Sequence, residues 1–204
     1  MNKKTTLILF AWGAAVFLLF GQLVTYSAQQ GAAGLPPIYW PEETTLKRQP
    51  DRWTILIFVH PKCPCTKAAL SEYARLQALH NTSVDTSIAL FVPPDQDPRW
   101  ADGVITKAAS RIKGVDLIND PEAKIAKQFN IFTSGHVLAY RPDGSLAYSG
   151  GLTNSRGHEG LSQGTTALLK ALKEPQSKHR AEYPVFGCPI VQEEICLERG
   201  CEAE

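Results

Sequence analysis

Residues 55–66 read Ile55-Leu56-Ile57-Phe58-Val59-His60-Pro61-Lys62-Cys63-Pro64-Cys65-Thr66. The β-branched and aromatic residues at the start of this stretch are typical of a buried strand, and a proline ends the run. From Thr66 to His80, apolar residues recur at helical spacing. The sequence therefore predicts that two cysteines, one residue apart, lie on a turn between a strand and a helix.

That position favours thiol chemistry. At a helix start, free N–H groups and the positive end of the helix dipole stabilise a thiolate, which makes a cysteine reactive near neutral pH. Lys62 adds positive charge beside Cys63. We favour a redox pair, in which one thiolate attacks a partner's disulfide and the neighbouring thiol resolves the mixed intermediate. The alternative is a pair of buried structural thiols, because free cysteine packs as a small hydrophobic residue.

This turn resembles the active-site turn of the thioredoxin superfamily, where a central strand delivers Cys-x-x-Cys to the first turn of a helix. The resemblance covers Trp53 to about Lys173, and the order of elements carries it, since the motif here lacks one intervening residue. The chain is most similar to the membrane-tethered periplasmic branch, the TlpA/ResA-like and Sco-like proteins, and within it to the RedB-like group. The resemblance implies that Cys63 is the exposed, attacking cysteine and Cys65 the resolving one.

The remaining segments predict an α/β protein with a mixed sheet, as a thioredoxin-like three-layer sandwich. The pattern predicts a strand at 84–92, a helix from 97 to 113, a strand at 115–118, a helix capped by Asp120 with Pro121 at its first position, a hairpin over 136–149 and a helix at 165–173. The predicted domain spans residues 51–175.

Two further segments are expected near the cysteines. By the resemblance, the Gly135 loop (residues 133–136) takes the place of the cis-proline loop, which faces the cysteines and grips the partner's backbone. His60, three residues before Cys63, is a candidate for taking the thiol proton or binding metal, or merely caps the strand.

In a thioredoxin topology the glycine-rich loop at 150–160 borders the cysteines, so His158 becomes a further candidate for proton transfer.

The N-terminus predicts a membrane anchor. Lys3 and Lys4 precede a stretch from Leu7 to Tyr26 without a charged residue, which at about 1.5 Å per residue can cross a hydrocarbon core of roughly 30 Å. We interpret residues 1–28 as an uncleaved signal-anchor of the bacterial inner membrane, with the C-terminal domain in the periplasm. A cleaved signal peptide is the rival interpretation. Residues 29–50 form the predicted linker.

Five cysteines behind an export-type N-terminus point to an oxidising compartment. Three of them, Cys188, Cys196 and Cys201, lie in the C-terminal extension, residues 176–204. A stabilising Cys196–Cys201 or Cys188–Cys196 bridge is the simplest interpretation. A sharper one makes Cys188 the resolving partner of Cys63 or Cys65.

The sequence predicts a membrane-anchored periplasmic thiol–disulfide oxidoreductase, without a cofactor, that acts on thiols and disulfides of partner proteins. The alternative is a copper-binding maturation factor resembling the Sco-like proteins, with Cys63, Cys65 and a histidine such as His136 or His158 as ligands. A thiol peroxidase is disfavoured because the Thr-x-x-Cys setting of peroxiredoxins is absent. A net charge of +1, without a basic cluster beyond the N-terminus, gives no reason to expect nucleic acid as a partner.

Overall fold

The computed structural model of the protein describes residues 2–79 and 83–191. Its elements, in chain order, are α1 (Lys3–Ala28), β1 (Trp53–Val59), α2 (Pro64–Leu79), β2 (Val84–Val92), a 3-10 helix (Pro98–Ala101), α3 (Val104–Ala109), β3 (Val115–Pro121), α4 (Lys124–Gln128), β4 (Val137–Tyr140), β5 (Leu146–Gly150), α5 (Gln163–Lys173) and β6 (Ala181–Glu182).

The apolar run at 53–59 becomes a central strand of a six-stranded sheet, ordered β3-β2-β1-β4-β5-β6. All seven residues of β1 are buried, as expected for a strand covered on both faces. Strands β1, β2 and β3 run parallel, while β4 runs antiparallel to β1 and to β5. The mixed sheet predicted from the sequence is confirmed.

Apolar side chains cover both faces of this sheet. On one face, helices α2, α3 and α5 pack against alternate residues of β1, with Tyr73 and Leu76 fully buried. On the other face, α4 and the segment before β1 pack against Leu56 and Phe58. The chain therefore forms the predicted three layers, and the carboxyl end of β1 leads directly into α2.

The predicted helix from 97 to 113 is wrong as a single element. Asp97 caps a short 3-10 helix, accepting the N–H of Arg99 at 2.8 Å, and the chain then becomes extended at Asp102 and Gly103 before α3 begins. Glycine is a poor helix former, which explains why the break falls there.

The predicted role of Asp120 and Pro121 at the start of a helix is also wrong. Strand β3 continues through Pro121, and Glu122 and Ala123 then adopt positive φ angles of 59° and 57°. Asp120 nevertheless stabilises the start of α4 through its side chain. Its buried carboxylate accepts the N–H groups of Ile125 at 2.7 Å and Ala126 at 3.1 Å.

Helix α1 has no buried residue, and its most apolar part has a mean hydropathy of 2.2. Within the described part of the chain, it is the one helix long and apolar enough to cross a membrane. The linker that follows lies against the domain. Trp40 packs edge-on against Phe129 and Tyr140, with ring centroids 5.3 and 5.2 Å away, and Tyr39 bridges to Ser145.

We expect Asp120→Ala to lower the free energy of unfolding by about 2 kcal/mol, because it removes the acceptor of two N–H groups at a buried helix start. The measurement is chemical denaturation of the full-length protein in detergent, followed by tryptophan fluorescence. Asp116→Ala, at an exposed position of the same strand, is the matched control. Equal stability of the two variants would contradict this role of Asp120.

Candidate active site

The two cysteines lie where the turn after β1 leads into α2, as predicted. Cys63 directly precedes the helix and donates its N–H to the carbonyl of His60 at 2.9 Å. Cys65 lies in the first turn of α2. The turn therefore places both sulfurs at the amino end of a helix, where the helix dipole favours a negative charge.

The thiol of Cys63 is buried and yet surrounded by hydrogen-bond donors. Burial by itself raises the pKa of Cys63, but hydrogen bonds from Cys188 and Thr66 outweigh it, and the net effect lowers the pKa below its ordinary value. One of these donors is the backbone N–H of Cys188, 3.3 Å from the Cys63 sulfur. Cys63 is thus the thiol of the site that ionises most readily.

The neighbouring thiols of Cys65 and Cys188 have raised pKa values. Burial and the nearby charge of Cys63 raise the pKa of Cys65, which Arg156 counteracts in part. Burial and the hydrogen bond to Cys63 raise the pKa of Cys188 to about 12. The site therefore holds one favoured thiolate beside two thiols that keep their protons.

The Gly135 loop faces these cysteines. Gly135 has a φ angle of +86° and donates its N–H to the carbonyl of Phe58 in β1, at 2.7 Å. The hydroxyl of buried Ser134 accepts the N–H of His60 at 2.8 Å and lies 2.6 Å from the hydroxyl of Thr66. These contacts fix the loop beside the first turn of α2.

The docked tail, residues 185–191, runs antiparallel to the Gly135 loop and pairs with it through one isolated bridge. Thr133 and Pro189 form an antiparallel bridge. Ser134 donates its N–H to the carbonyl of Cys188 at 2.9 Å. Val185, Ile190 and Val191 are buried, so the first part of the C-terminal extension is docked on the domain.

This docking corrects one expectation about the cysteines. Cys63 was expected to be the exposed member of the pair, but it is 0% exposed, whereas Cys65 is partly exposed. The C-terminal extension lies outside the region of resemblance, and its docked tail covers the Cys63 sulfur. Cys196 and Cys201 lie outside the described residues, so the predicted bridges that involve them stay predictions.

His60 packs its ring between two aromatic side chains. The ring packs against Phe91 and Trp100, with centroids 5.4 and 5.7 Å away, and its Nδ1 accepts the N–H of Lys62 at 3.2 Å. Burial lowers the pKa of His60, and Lys62 acts in the same direction. The neutral form is therefore favoured, and a role of His60 in proton transfer stays a prediction.

The glycine-rich loop borders the cysteines through Arg156 rather than through His158. The Arg156 guanidinium lowers the pKa of Cys65 and donates to the carbonyl of Gly187 at 2.6 Å. The loop is held to α2 by the N–H of Gly160, which donates to the Glu72 carboxylate at 2.7 Å. His158 is exposed.

His136, the alternative copper ligand, is fully buried. Its Nε2 lies 2.8 Å from the hydroxyl of Ser149, and burial lowers its pKa to about 3. Within residues 2–79 and 83–191, no group of three or more histidine, cysteine or carboxylate side chains is placed to hold a metal ion.

Comparison with known proteins gives structural matches only. No protein-family model matches the chain, and no curated protein matches it. An uncharacterized conserved protein from Geobacillus kaustophilus superposes with a TM-score of 0.57 at 18% identity, over 81% of this chain and 93% of that one. That likeness, the order of the strands and the position of the cysteine turn after β1 all indicate the same fold. The chain has a thioredoxin-like fold.

Other structures are also similar to the chain. A secreted disulfide oxidoreductase of Mycobacterium tuberculosis has a TM-score of 0.43 at 17% identity, over 61% of this chain and 82% of that one. A SCO1/SenC family lipoprotein from Bacillus anthracis has a TM-score of 0.42 at 14% identity, over 72% of this chain and the whole of that one.

Within this thioredoxin-like fold, the sequence did not single out Thr66 and Ser134 as site residues. Both are buried polar residues joined by a hydrogen bond, and Thr66 also lowers the pKa of the Cys63 thiol. The position of Thr66, three residues after Cys63 in the first helical turn, is the signal that identifies it.

We expect the pKa of Cys63 to lie below the ordinary thiol value of about 8.5. Thr66→Val should raise the ionisation midpoint by about 0.5–1 pH unit, because one donor to the thiolate is lost. The measurement is the ultraviolet absorbance of the thiolate against pH, in full-length protein without Cys65. Thr54→Val removes a buried hydroxyl without a hydrogen-bond partner and is the matched control. Equal midpoints for Thr66→Val and the parent protein would contradict the assignment.

Proposed function

We propose that the protein is a thiol–disulfide oxidoreductase of the bacterial inner membrane that acts on partner proteins in the periplasm through Cys63 and Cys65. The observation that carries the proposal is the environment of Cys63, a thiol at a helix start whose donors lower its pKa despite burial. A structural thiol needs no such donors, and burial alone raises its pKa.

The reaction begins when the Cys63 thiolate attacks one sulfur of a partner's disulfide. A bond forms between Cys63 and the partner, the partner's own S–S bond breaks, and its second sulfur leaves as a thiolate that takes a proton from water. A second thiol of this chain then loses its proton, attacks the Cys63 sulfur and releases the partner's first sulfur. The partner disulfide is reduced by two electrons, and two thiols of this chain are oxidised; the reverse sequence oxidises a partner dithiol.

Cys65 supplies a second thiol beside Cys63. The nearby charge of Cys63 raises the pKa of Cys65, and Cys65 is the more accessible of the pair. The Gly135 loop offers backbone groups at the same place, as an antiparallel pairing edge for an extended segment. The docked tail occupies that edge, so a partner gains access to Cys63 when the tail moves aside.

The membrane position rests on α1. None of its residues is buried, the stretch from Leu7 to Tyr26 carries no charge, and the basic residues at its start favour a cytoplasmic N-terminus. The domain then lies on the opposite side of the membrane, where disulfides form and persist.

We expect the full-length protein in detergent to exchange with a fluorogenic peptide disulfide and Cys63→Ser to abolish this exchange, because serine provides no thiolate. The measurement is the rate of fluorescence release from the reduced protein. Cys196→Ser and Cys201→Ser remove thiols of the same extension and serve as controls. Undiminished exchange by Cys63→Ser would contradict the proposal, as would stoichiometric Cu(I) binding without any exchange, which would favour the copper-binding alternative.

We also expect the full-length chain, expressed in a bacterial host, to stay in the membrane pellet after an alkaline wash and to keep its N-terminal residues. The reason is that α1 has the length and hydropathy of a spanning helix. Fractionation followed by intact mass spectrometry is the measurement. A soluble periplasmic product that has lost residues 1–28 would establish the cleaved signal peptide instead.

A further inference from the structure

The docked tail pairs with the Gly135 loop as a bound peptide strand would. Ser134 and Ile190 each contribute one N–H: Ser134 donates to the Cys188 carbonyl at 2.9 Å, and Ile190 donates to the Phe132 carbonyl at 2.7 Å. Between them lies the bridge of Thr133 with Pro189. Backbone pairing of this kind is how an extended peptide adds to a sheet edge.

This pairing puts Cys188 directly over Cys63. The N–H of Cys188 lies 3.3 Å from the Cys63 sulfur and points its hydrogen at it. Arg156 holds the preceding residue by donating to the Gly187 carbonyl at 2.6 Å. A cysteine on an extended strand, held against the reactive thiolate, has the position of a partner's cysteine in a mixed disulfide.

We propose that Cys188 is the resolving cysteine of this site, that the docked tail is an internal substitute for the partner's strand, and that the oxidised protein carries a Cys63–Cys188 disulfide. The proposal rests on the thiol–disulfide exchange proposed above and changes one part of it: Cys188, and not Cys65, supplies the second thiol.

In the proposed reaction, the docked tail and the partner's segment compete for the backbone edge of the Gly135 loop. A partner's disulfide-bearing segment displaces the docked tail and is attacked by the Cys63 thiolate, which gives the mixed disulfide and releases one partner thiolate. The tail then returns to the Gly135 loop. The Cys188 thiol loses its proton to water, its sulfur bonds to Cys63, and the partner's remaining sulfur leaves as a thiolate. The returning strand also occupies the partner's pairing edge, so resolution and release of the partner occur together.

Cys188 suits this role better than Cys65 on geometric grounds. A disulfide needs Cα atoms about 4.4–6.8 Å apart and a near-perpendicular torsion, which a link across the single residue Pro64 has little freedom to reach. Cys188 approaches Cys63 from a separate strand, so the backbone of the motif imposes no such limit.

The test uses full-length protein in detergent with Cys196→Ser and Cys201→Ser, so that only Cys63, Cys65 and Cys188 remain. The reduced protein reacts with excess peptide disulfide, and is then quenched in acid and alkylated. Cleavage with trypsin and a glutamate-specific protease separates the peptide containing Cys63 and Cys65 from the peptide containing Cys188. Mass spectrometry then identifies the linked peptides.

We expect the linked Cys63–Cys188 peptides as the main product, retained in Cys65→Ser and lost in Cys63→Ser. In Cys188→Ser, the mixed disulfide of Cys63 with the peptide should accumulate. A bond within the motif peptide, with Cys188 alkylated and the mixed disulfide trapped only by Cys65→Ser, would overturn the proposal and leave the proposed function intact. Failure to consume the peptide disulfide at all would instead refute the proposed function.

A steric variant tests the position of the tail separately. A Cβ atom at Gly187 would lie 1.9 Å from the Ser134 carbonyl oxygen, so Gly187→Ala must shift the docked tail. We expect about tenfold faster alkylation of Cys63 and a matching loss of the Cys63–Cys188 product. Gly103→Ala, where a Cβ meets nothing within 4 Å, is the matched control. Unchanged alkylation in Gly187→Ala would overturn the proposed competition.

Discussion

The hydrogen bonds to the Cys63 sulfur are the constraint on which the site depends. A thiol that is 0% exposed loses the water that would stabilise its charge, and burial alone opposes ionisation. Donors from Thr66 and Cys188 replace that water and lower the pKa. These donors belong to different parts of the chain, one in α2 and one in the docked tail, so both segments stabilise the thiolate when the tail is docked.

This dependence links the chemistry to the position of the tail. In the proposed exchange, a partner that displaces the docked tail removes the N–H of Cys188 from Cys63, and water takes its place as a donor to the thiolate. Because the tail is tethered to the domain, its effective concentration at the edge is high, and a free partner must compete with it. In the proposed mechanism, a partner strand would need a small residue before its cysteine, because a Cβ atom at the position of Gly187 would lie 1.9 Å from the Ser134 carbonyl oxygen.

Local patterns predicted the parts of the fold that local interactions determine. The apolar run of β1, the helical spacing of α2 and the hairpin turn after Tyr140 were confirmed. The start of α4 was not predictable from the same kind of signal. Glu122 and Ala123 adopt left-handed conformations that neither residue type favours. The buried carboxylate of Asp120 accepts the N–H of Ile125, beyond these two residues, and so stabilises a helix that begins later than the sequence predicts.

The burial of Cys63 has a different origin, because it depends on pairing between segments more than 50 residues apart, 133–134 and 187–189, which no periodicity encodes. The replacement of a proline by Gly135 is part of the same arrangement. Proline has no N–H and cannot adopt the φ angle of +86° seen here, whereas Gly135 donates to Phe58 and ties the loop to β1.

The loop thus directs the N–H of Ser134 at the segment that pairs with it, although the loop has Gly135 in place of the proline. The sequence departs from the thioredoxin pattern at two points, the shortened cysteine motif and the missing proline. Both departures adjoin the docked tail. A motif poorly suited to closing its own disulfide, beside an edge already paired with a cysteine-bearing strand, is the arrangement expected of a site whose second thiol comes from that strand.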